Sequence, residues 1–571
     1  MAEDADLIIR GGTVLDGSGG EPVEADVAIA DGRILAVGRI EGRGREEIDA
    51  RGRLVTPGFV DIHTHYDGQA VWDSHLAPSA WHGVTTAVMG NCGVGFAPVK
   101  PDDRQKLIEL MEGVEDIPAP ALHEGLDFQW ESFAEYLAVL DRKPRDIDIC
   151  ALLPHAALRV YVMGERAVAL ENANQADIAR MRALTAEAAR AGAFGISTSR
   201  TISHKTLKGD PTPTLRAQEE ELTGLALGLK EAGRGFVEIV SDWTTPSPAG
   251  EFAMMRRIHE RSGRPVVFSM TARHDRTEVW KELLALSDEA AAEGLSIRPV
   301  FPPRPIGILM GLEGTQNPFS GCPSYKAIAH LPLAERVAAM RDPALRARIL
   351  AEDPIAGSNF PLIRRIGYDR MFLFSDPPDY TPPQDRSIAA IATREGRSAP
   401  EVAYDMLLRD EGRAFIFTAL TNYADYTLNP SLECLKHPNA ICGLSDGGAH
   451  VGFISDGSFP TFLLSYWGRD RPTDRFPLPE LVRRLTSDTA RAAGLTDRGL
   501  LRPGLRADVN VIDFDRLALH RPGMVRDLPA GGRRLLQPVT GYVATICGGE
   551  VTYRDGVATG ALPGRLVRAA A

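Results

Sequence analysis

The sequence has no long hydrophobic segment, few cysteines and no excess of basic residues. No run of about 18 apolar residues occurs, so we expect no membrane span. The six cysteines are scattered and form no CxxC pair, which in a chain of 571 residues is typical of a reduced, cytoplasmic protein. Residues 1–6 are acidic and lack the basic and apolar regions of a signal peptide, which also favours the cytoplasm.

The charge balance is acidic, with 64 Lys and Arg against 76 Asp and Glu and a net charge of −12. Nucleic-acid binding is therefore not expected, because no basic surface is available to neutralise phosphates. Hydrophobic residues make up 44% and charged residues 25% of the chain, as in a globular protein that is large enough for an extensive core. We expect a small-molecule partner, and a homo-oligomer is left open.

The two ends of the chain share a pattern of short strands separated by turns. Residues 6–50 contain a hairpin signal at Asp31 and Gly32, and residues 508–513 and 542–546 continue the pattern at the far end. The sequence therefore predicts one small β-sandwich domain built from residues 1–57 and 500–571.

The middle of the chain alternates strands with helices. Helical patterns at 174–190, 218–232, 251–262 and 277–293 separate strand patterns. The predicted strands cover residues 59–63, 85–89, 148–153, 194–198, 236–240, 265–269, 296–300 and 441–446. Eight alternating units predict an α/β fold, a (β/α)8 TIM barrel over residues 58–499. The gap of about 301–440 is too long for a crossover and predicts an inserted lid subdomain.

The first predicted barrel strand ends in His63-Thr64-His65. Side chains two positions apart on a strand leave the same face, so both imidazoles can point at one spot. Neutral imidazole suits zinc, iron or nickel. The alternative is that two polar residues simply close a strand.

Asp446 and Cys92 follow two other predicted strands. A carboxylate at the end of the eighth strand, such as Asp446, can bind a metal and also accept a proton. Cys92, in the glycine-rich turn after the second strand, can bind zinc as a thiolate. The alternatives are an ordinary turn aspartate and a small buried cysteine.

Longer motifs carry a family resemblance. The stretches GVTT…GNCGVGFAP (83–98), AFGISTS (193–199), LSDGGAH (444–450) and LLRPGLRAD (500–508) resemble those of D-aminoacylases, the N-acyl-D-amino-acid deacylases of the amidohydrolase superfamily. The resemblance covers nearly the whole chain. It implies that His63, His65 and Asp446 form one metal position, that Cys92 belongs to a tight zinc site, and that the cofactor is zinc, one ion or two.

The sequence departs from this family on the fifth and sixth strands. The family has a histidine on each, whereas residues 236–242 and 266–271 contain none, and Met270 aligns with the second position. The family's strand-five arginine, which helps to hold the substrate carboxylate, is also missing. Three alternatives follow: a single metal at the first position, no metal, or replacement of a lost ligand. The replacement candidates are Glu238, Asp242, His204 and His274.

The resulting expectation is a metal-dependent amidohydrolase that cleaves a C–N amide bond, as in an N-acyl-D-amino acid or a related N-acyl amine. Asp446 is the expected catalytic base and returns the proton to the leaving amine. The alternatives are a cyclic amide, imide or lactone hydrolase, and a barrel that binds a ligand without turnover. Candidate substrate-binding residues are His450, His274, Arg273 and Ser199.

Overall fold

The computed structural model describes residues 5–244, 247–354 and 366–570. In chain order its strands are β1 (Leu7–Val14), β2 (Val23–Ala30), β3 (Arg33–Gly38), β4 (Glu46–Asp49), β5 (Leu54–Pro57), β6 (Phe59–Thr64), β7 (Val84–Met89), β8 (Asp148–Ala151), β9 (Leu153–Pro154), β10 (Gly195–Arg200), β11 (Phe236–Ser241), β12 (Val266–Ser269), β13 (Ile297–Phe301), β14 (Gly307–Met310), β15 (Met371–Leu373), β16 (Ile416–Ala419), β17 (Ile441–Cys442), β18 (Val509–Ile512), β19 (Ala518–Leu519), β20 (Gly523–Leu528), β21 (Gly532–Leu536), β22 (Val539–Thr540), β23 (Tyr542–Cys547), β24 (Glu550–Arg554) and β25 (Val557–Ala558).

The helices lie mainly between the strands of the middle region and after them. In chain order they are α1 (Gln69–Trp72), α2 (Arg104–Glu115), α3 (Ala119–Gly125), α4 (Phe133–Arg142), α5 (His155–Met163), α6 (Glu165–Val168), α7 (Gln175–Ala191), α8 (Glu219–Ala232), α9 (Pro248–Ser262), α10 (Val279–Ala292), α11 (Pro323–Lys326), α12 (Leu333–Met340), α13 (Pro343–Ala351), α14 (Ile388–Glu395), α15 (Ala399–Leu407), α16 (Asn429–Lys436), α17 (Phe459–Phe462), α18 (Leu478–Leu485) and α19 (Ser487–Ala492). None of those in the described part of the chain is both long enough and apolar enough to span a bilayer.

The two ends of the chain form one nine-stranded sheet. Its strands follow the order β25-β24-β23-β18-β5-β1-β2-β3, with β4 paired to β1. The join between the ends is the antiparallel pairing of β5 with β18. Alternating apolar residues of these strands bury a core of their own, which includes Ile9, Val27, Val509 and Ile546. Residues 1–57 and 500–571 remain the predicted domain limits; residues 1–4 and 571 lie outside the described residues.

The middle of the chain is a TIM barrel of parallel strands. One part of its wall is β6-β7-β8 and the other is β9-β10-β11-β12-β13-β17. Only Leu152 separates β8 from β9, and its N–H still bonds the Met89 carbonyl of β7, so the wall continues there. The barrel closes through a parallel bridge from Thr64, at the end of the first strand, to Gly447, in the loop after the last strand. The predicted barrel is thus confirmed.

Capped helices pack around this barrel. Helix α7 begins at a capping box in which Asn174 and Asp177 satisfy each other's backbone N–H groups. It ends at Gly192, whose left-handed backbone favours glycine. The helix then packs along α8, which likewise ends at a left-handed glycine, Gly233. The two glycines therefore end α7 and α8 shortly before the next strands begin.

The segment between β13 and β17 has its own sheet and core. Strands β14, β16 and β15 pair antiparallel, and a separate hydrophobic cluster forms around Met310, Ile349 and Ile416. The segment is anchored to the barrel by Arg304, which is fully buried and pairs with Asp456 at 2.8 Å. The limits of the insertion, about 301–440, remain a prediction, and its residues 355–365 lie outside the described residues.

Candidate metal centre

Two histidines, His63 and His65, lie side by side at the end of β6. Their ring centroids are 5.4 Å apart, and their side chains are only 3% and 1% exposed. The register of β6 against β7 shifts between Asp61 and Thr64. Asp61 fixes this irregular stretch, because its carboxylate accepts hydrogen bonds from the His63 N–H at 3.2 Å and from the Ser445 hydroxyl. Asp61 therefore ties the first strand of the barrel to the loop that follows the last strand, next to His63.

Cys92 reaches the same point from the turn after β7. Its backbone has a φ of +55°, which turns the chain sharply. The Asn91 side-chain amide donates to the carbonyl oxygens of Thr64 at 3.1 Å and Val88 at 2.9 Å, so the turn is held against both strand ends. As a result, Sγ of Cys92 lies 3.5 Å from Nε2 of His63.

Asp446 approaches from the loop after β17. Its N–H donates to the His63 carbonyl at 3.1 Å. Its Oδ1 lies 3.2 Å from Nε2 of His63 and 3.7 Å from Nε2 of His65, and its Oδ2 lies 3.9 Å from Nε2 of His450. The side chain is 14% exposed, so the carboxylate meets the histidines and still reaches solvent.

The chemistry of these donors fits a zinc ion. Suitable ligand atoms of His63, His65 and Cys92 all lie within 4.8 Å of one another. Burial lowers the pKa of both histidines to about 3, so both rings are neutral near pH 7, the form that binds a metal. Burial, followed by the charge of Glu238, raises the pKa of the Cys92 thiol well above its ordinary value, and a bound cation reverses that preference. Two imidazoles, a sulfur and a carboxylate are typical zinc ligands.

Glu238 occupies β11, where the D-aminoacylase pattern has a histidine. Its Oε2 accepts the Cys92 N–H at 3.0 Å, and burial raises the pKa of this carboxyl to about 8. On the next strand, Oγ of Ser269 lies 3.5 Å from Oε1 of Glu238. Met270, which the sequence aligns with the missing histidine, lies instead in the main hydrophobic core. The side of the centre next to Cys92 is thus lined by a carboxyl and a hydroxyl.

His204 is the one replacement histidine that the structure brings to the cluster. Its Nδ1 lies 2.9 Å from Oγ of Ser199. Burial lowers its pKa to about 3, with smaller contributions from His450 and His65, which lie nearby. Asp242 is not in the cluster; its carboxylate accepts hydrogen bonds of 2.6 and 2.7 Å from the start of the His204 loop and so shapes that loop.

The four predicted substrate-binding residues lie in different surroundings. His450 lies beside Asp446, and Ser199 contacts the buried His204. Arg273 makes two 3.0 Å hydrogen bonds to Asp275 and is 29% exposed. Burial lowers the pKa of His274 to about 4, and its charged neighbours include Arg370 rather than the clustered histidines. Of these four residues, His450 lies beside a candidate metal ligand, and Ser199 reaches the cluster through His204.

Glu115, the last residue of α2, is the member of the cluster that no sequence motif indicates. Its side chain is 1% exposed. Oε1 lies 3.3 Å from Nδ1 of His65, and Oε2 lies 3.6 Å from Nε2 of His450. A glutamate at a helix end gives no local signal of such a contact.

Comparison with known proteins identifies relatives of this chain. A model described as "Amidohydrolase family" matches residues 46–553. An N-acyl-D-glutamate deacylase from Alcaligenes xylosoxydans xylosoxydans is 34% identical over 528 residues, covering 90% of this chain and 88% of that protein. An N-acyl-D-aspartate deacylase from the same organism is 38% identical over 195 residues, covering 34% of this chain and 36% of that protein.

Solved structures share the fold. The N-acyl-D-glutamate deacylase of Bordetella bronchiseptica, complexed with zinc and a phosphonate inhibitor, has a TM-score of 0.65 at 23% identity, over 99% of this chain and 100% of that one. A D-aminoacylase has a TM-score of 0.64 at 24% identity, with the same coverage.

Proposed function

The chain belongs to the amidohydrolase family, and we propose that its substrate is an N-acyl-D-amino acid, whose amide it hydrolyses to a carboxylate and a free D-amino acid. It is a metal-dependent hydrolase of non-peptide C–N bonds in small molecules. The observation that carries the finer proposal is the N-acyl-D-glutamate deacylase with 34% identity over 90% of this chain.

The proposed metal ligands are His63, His65, Cys92 and Asp446. The two neutral imidazoles and the sulfur converge on one point, and Asp446 reaches both rings through Oδ1. A bound zinc ion supplies Lewis-acid polarisation of a carbonyl and makes water more acidic. One such ion is proposed, because the described strands five and six add no histidine to this group.

Asp446 is the proposed general base and acid. Its carboxylate is partly exposed and lies against the proposed ligands, so it can accept a proton from the attacking water. The same carboxyl then returns the proton to the leaving nitrogen, which departs as a neutral amine. His450 is proposed to hydrogen-bond a substrate oxygen, and its Nε2 lies 3.9 Å from the other oxygen of Asp446.

A substrate panel tests this proposal. We expect release of free amine from N-acetyl-D-glutamate, N-acetyl-D-aspartate or N-acetyl-D-leucine, and little from the L-enantiomers. Activity should disappear after chelation and return with zinc. The His437→Ala variant should keep the same activity and the same response to chelation, because this histidine pairs with Asp288 away from the cluster.

Two outcomes would contradict the proposal. Turnover of hydantoins or lactones without turnover of N-acyl-D-amino acids would favour the cyclic-substrate alternative. Hydrolysis that persists at full rate in chelator-treated, metal-free protein would remove the proposed metal centre.

A further inference from the structure

Glu115 is a buried carboxylate in a place that does not favour one. It lies at the C-terminal end of α2, where the helix dipole disfavours negative charge. Its neighbours on the buried face of the helix are apolar, among them Met111 and Val114. Within the described ranges, its ion-pair contacts are to His65 and His450 and not to any lysine or arginine. A buried carboxyl group needs hydrogen-bonding partners, and among the described residues the imidazoles of His65 and His450 face this one.

The contact with His65 has a defined geometry. Oε1 of Glu115 lies 3.3 Å from Nδ1, while Nε2 of the same ring lies 3.7 Å from Oδ1 of Asp446. The two ring nitrogens therefore face different carboxylates. Nδ1 of this buried ring has no hydrogen-bond partner among the described residues, and the Glu115 carboxyl at 3.3 Å is the ion-pair contact that faces it. Glu115 is thus the natural acceptor for a proton on Nδ1, which leaves Nε2 free as the ligand nitrogen.

The second oxygen and the main chain of Glu115 reach the loop after β17. Oε2 lies 3.6 Å from Nε2 of His450, and the N–H of His450 donates to the Glu115 carbonyl. The next residue, Asp116, accepts hydrogen bonds from the Gly452 N–H at 3.0 Å and the Thr315 hydroxyl at 2.8 Å. The end of α2 therefore holds the loop that carries both Asp446 and His450.

We propose that Glu115 is a positioning residue for the metal centre: it accepts the Nδ1–H of His65, fixes that ring with Nε2 toward the metal, and orients His450. This inference rests on the proposed metal site. A carboxylate behind a metal-binding histidine selects the tautomer, holds the ring and raises its basicity, and its loss costs about 10- to 100-fold in metal affinity.

Cobalt binding to the metal-stripped full chain tests this role without relying on activity. We compare wild type with Glu115→Ala and Glu115→Gln by titration with Co²⁺ alone, following its visible absorption and competition with a chelator. Glu115→Ala should bind Co²⁺ about 10- to 100-fold more weakly at unchanged stoichiometry, with an altered spectrum. Glu115→Gln is nearly isosteric and keeps an acceptor oxygen, so its loss should be smaller.

Glu221→Gln is the control, because Glu221 is also buried beside a histidine, with Oε1 2.9 Å from Nε2 of His155 and 2.7 Å from Nε of Arg159, outside the metal cluster. It should leave cobalt affinity unchanged. Equal affinity in all four proteins, or equal losses in the Glu221 and Glu115 variants, would overturn the positioning role. Loss of stoichiometry in Glu115→Ala would make Glu115 a ligand and also overturn it. If wild type binds no cobalt, the metal site itself fails, and the role of Glu115 with it.

Discussion

Asp446→Asn is the substitution that separates proton transfer from binding in this enzyme. Asparagine keeps the size of the side chain and an oxygen that can stay near Nε2 of His63, 3.2 Å from Oδ1 in the native protein. It removes the acceptor for a proton. General-base catalysis contributes about 10² to 10⁴ in rate, so we expect kcat to fall by about 10² or more. That corresponds to about 2.7 kcal/mol or more in activation free energy.

The assay is steady-state hydrolysis of the best N-acyl-D-amino acid at saturating concentration, with the zinc content measured on the same sample. The metal measurement is needed because Asp446 is also a proposed ligand. Asp288→Asn, which alters an aspartate paired with His437 away from the cluster, is the control and should keep full activity. Zinc-loaded Asp446→Asn with near wild-type kcat would refute the assignment of Asp446 as the base.

Three further predictions concern His63, His82 and the inserted segment. His63→Ala should lose most of the bound metal while His437→Ala keeps it, as elemental analysis can check; full retention in both would exclude His63 as a ligand. Burial lowers the pKa of His82 to about 3, against about 6.5 in the unfolded chain. Its contribution to the free energy of unfolding is therefore fully present above pH 6.5 and is lost as the pH falls toward 3, because the unfolded chain takes up the proton first. The free energy of unfolding should therefore fall more steeply over that window in wild type than in His82→Asn, by up to about 1.4 kcal/mol per pH unit, and parallel slopes in chemical denaturation would contradict this. Proteolysis within residues 301–440 should slow when product is bound; equal cleavage rates at demonstrated occupancy would count against a lid.

The barrel was predictable because its strands are apolar runs that alternate with capped helices. The eighth strand is the clearest departure: residues 441–446 were predicted, but β17 ends at Cys442. Leu444 and Asp446 both adopt positive φ, +61° and +49°, so the chain leaves the strand early and turns the carboxylate toward the histidines. The pattern of apolar residues carries no signal for such a change in backbone conformation.

Parts of the site were predictable for a different reason. The spacing of His63 and His65 fixes their common direction locally. The direction of Glu238, by contrast, depends on the register of β11, where it pairs with Ser197 on one side and Val267 on the other. A one-residue shift would reverse it, and sequence alone does not set that register.

Glu115 shows most clearly which part of the site cannot be predicted from the sequence. Its contact with His65 joins residues 50 positions apart through the packing of α2 against the loop after β17. No periodicity or motif in a single sequence predicts that contact. The sequence indicates His204 only as one of several replacements, because the loop that brings it to Ser199 is shaped by Asp242, a carboxylate just after β11.

Measuring the metal content is the most direct test of the proposed single-metal centre. Elemental analysis of purified wild type and of Cys92→Ser should find one equivalent in each, because His63, His65 and Asp446 still supply the three protein ligands that a catalytic zinc needs. Two equivalents in wild type, falling to one or none in Cys92→Ser, would contradict the single-metal centre. Wild type without any metal would contradict both the proposed metal centre and metal-dependent hydrolysis by this protein.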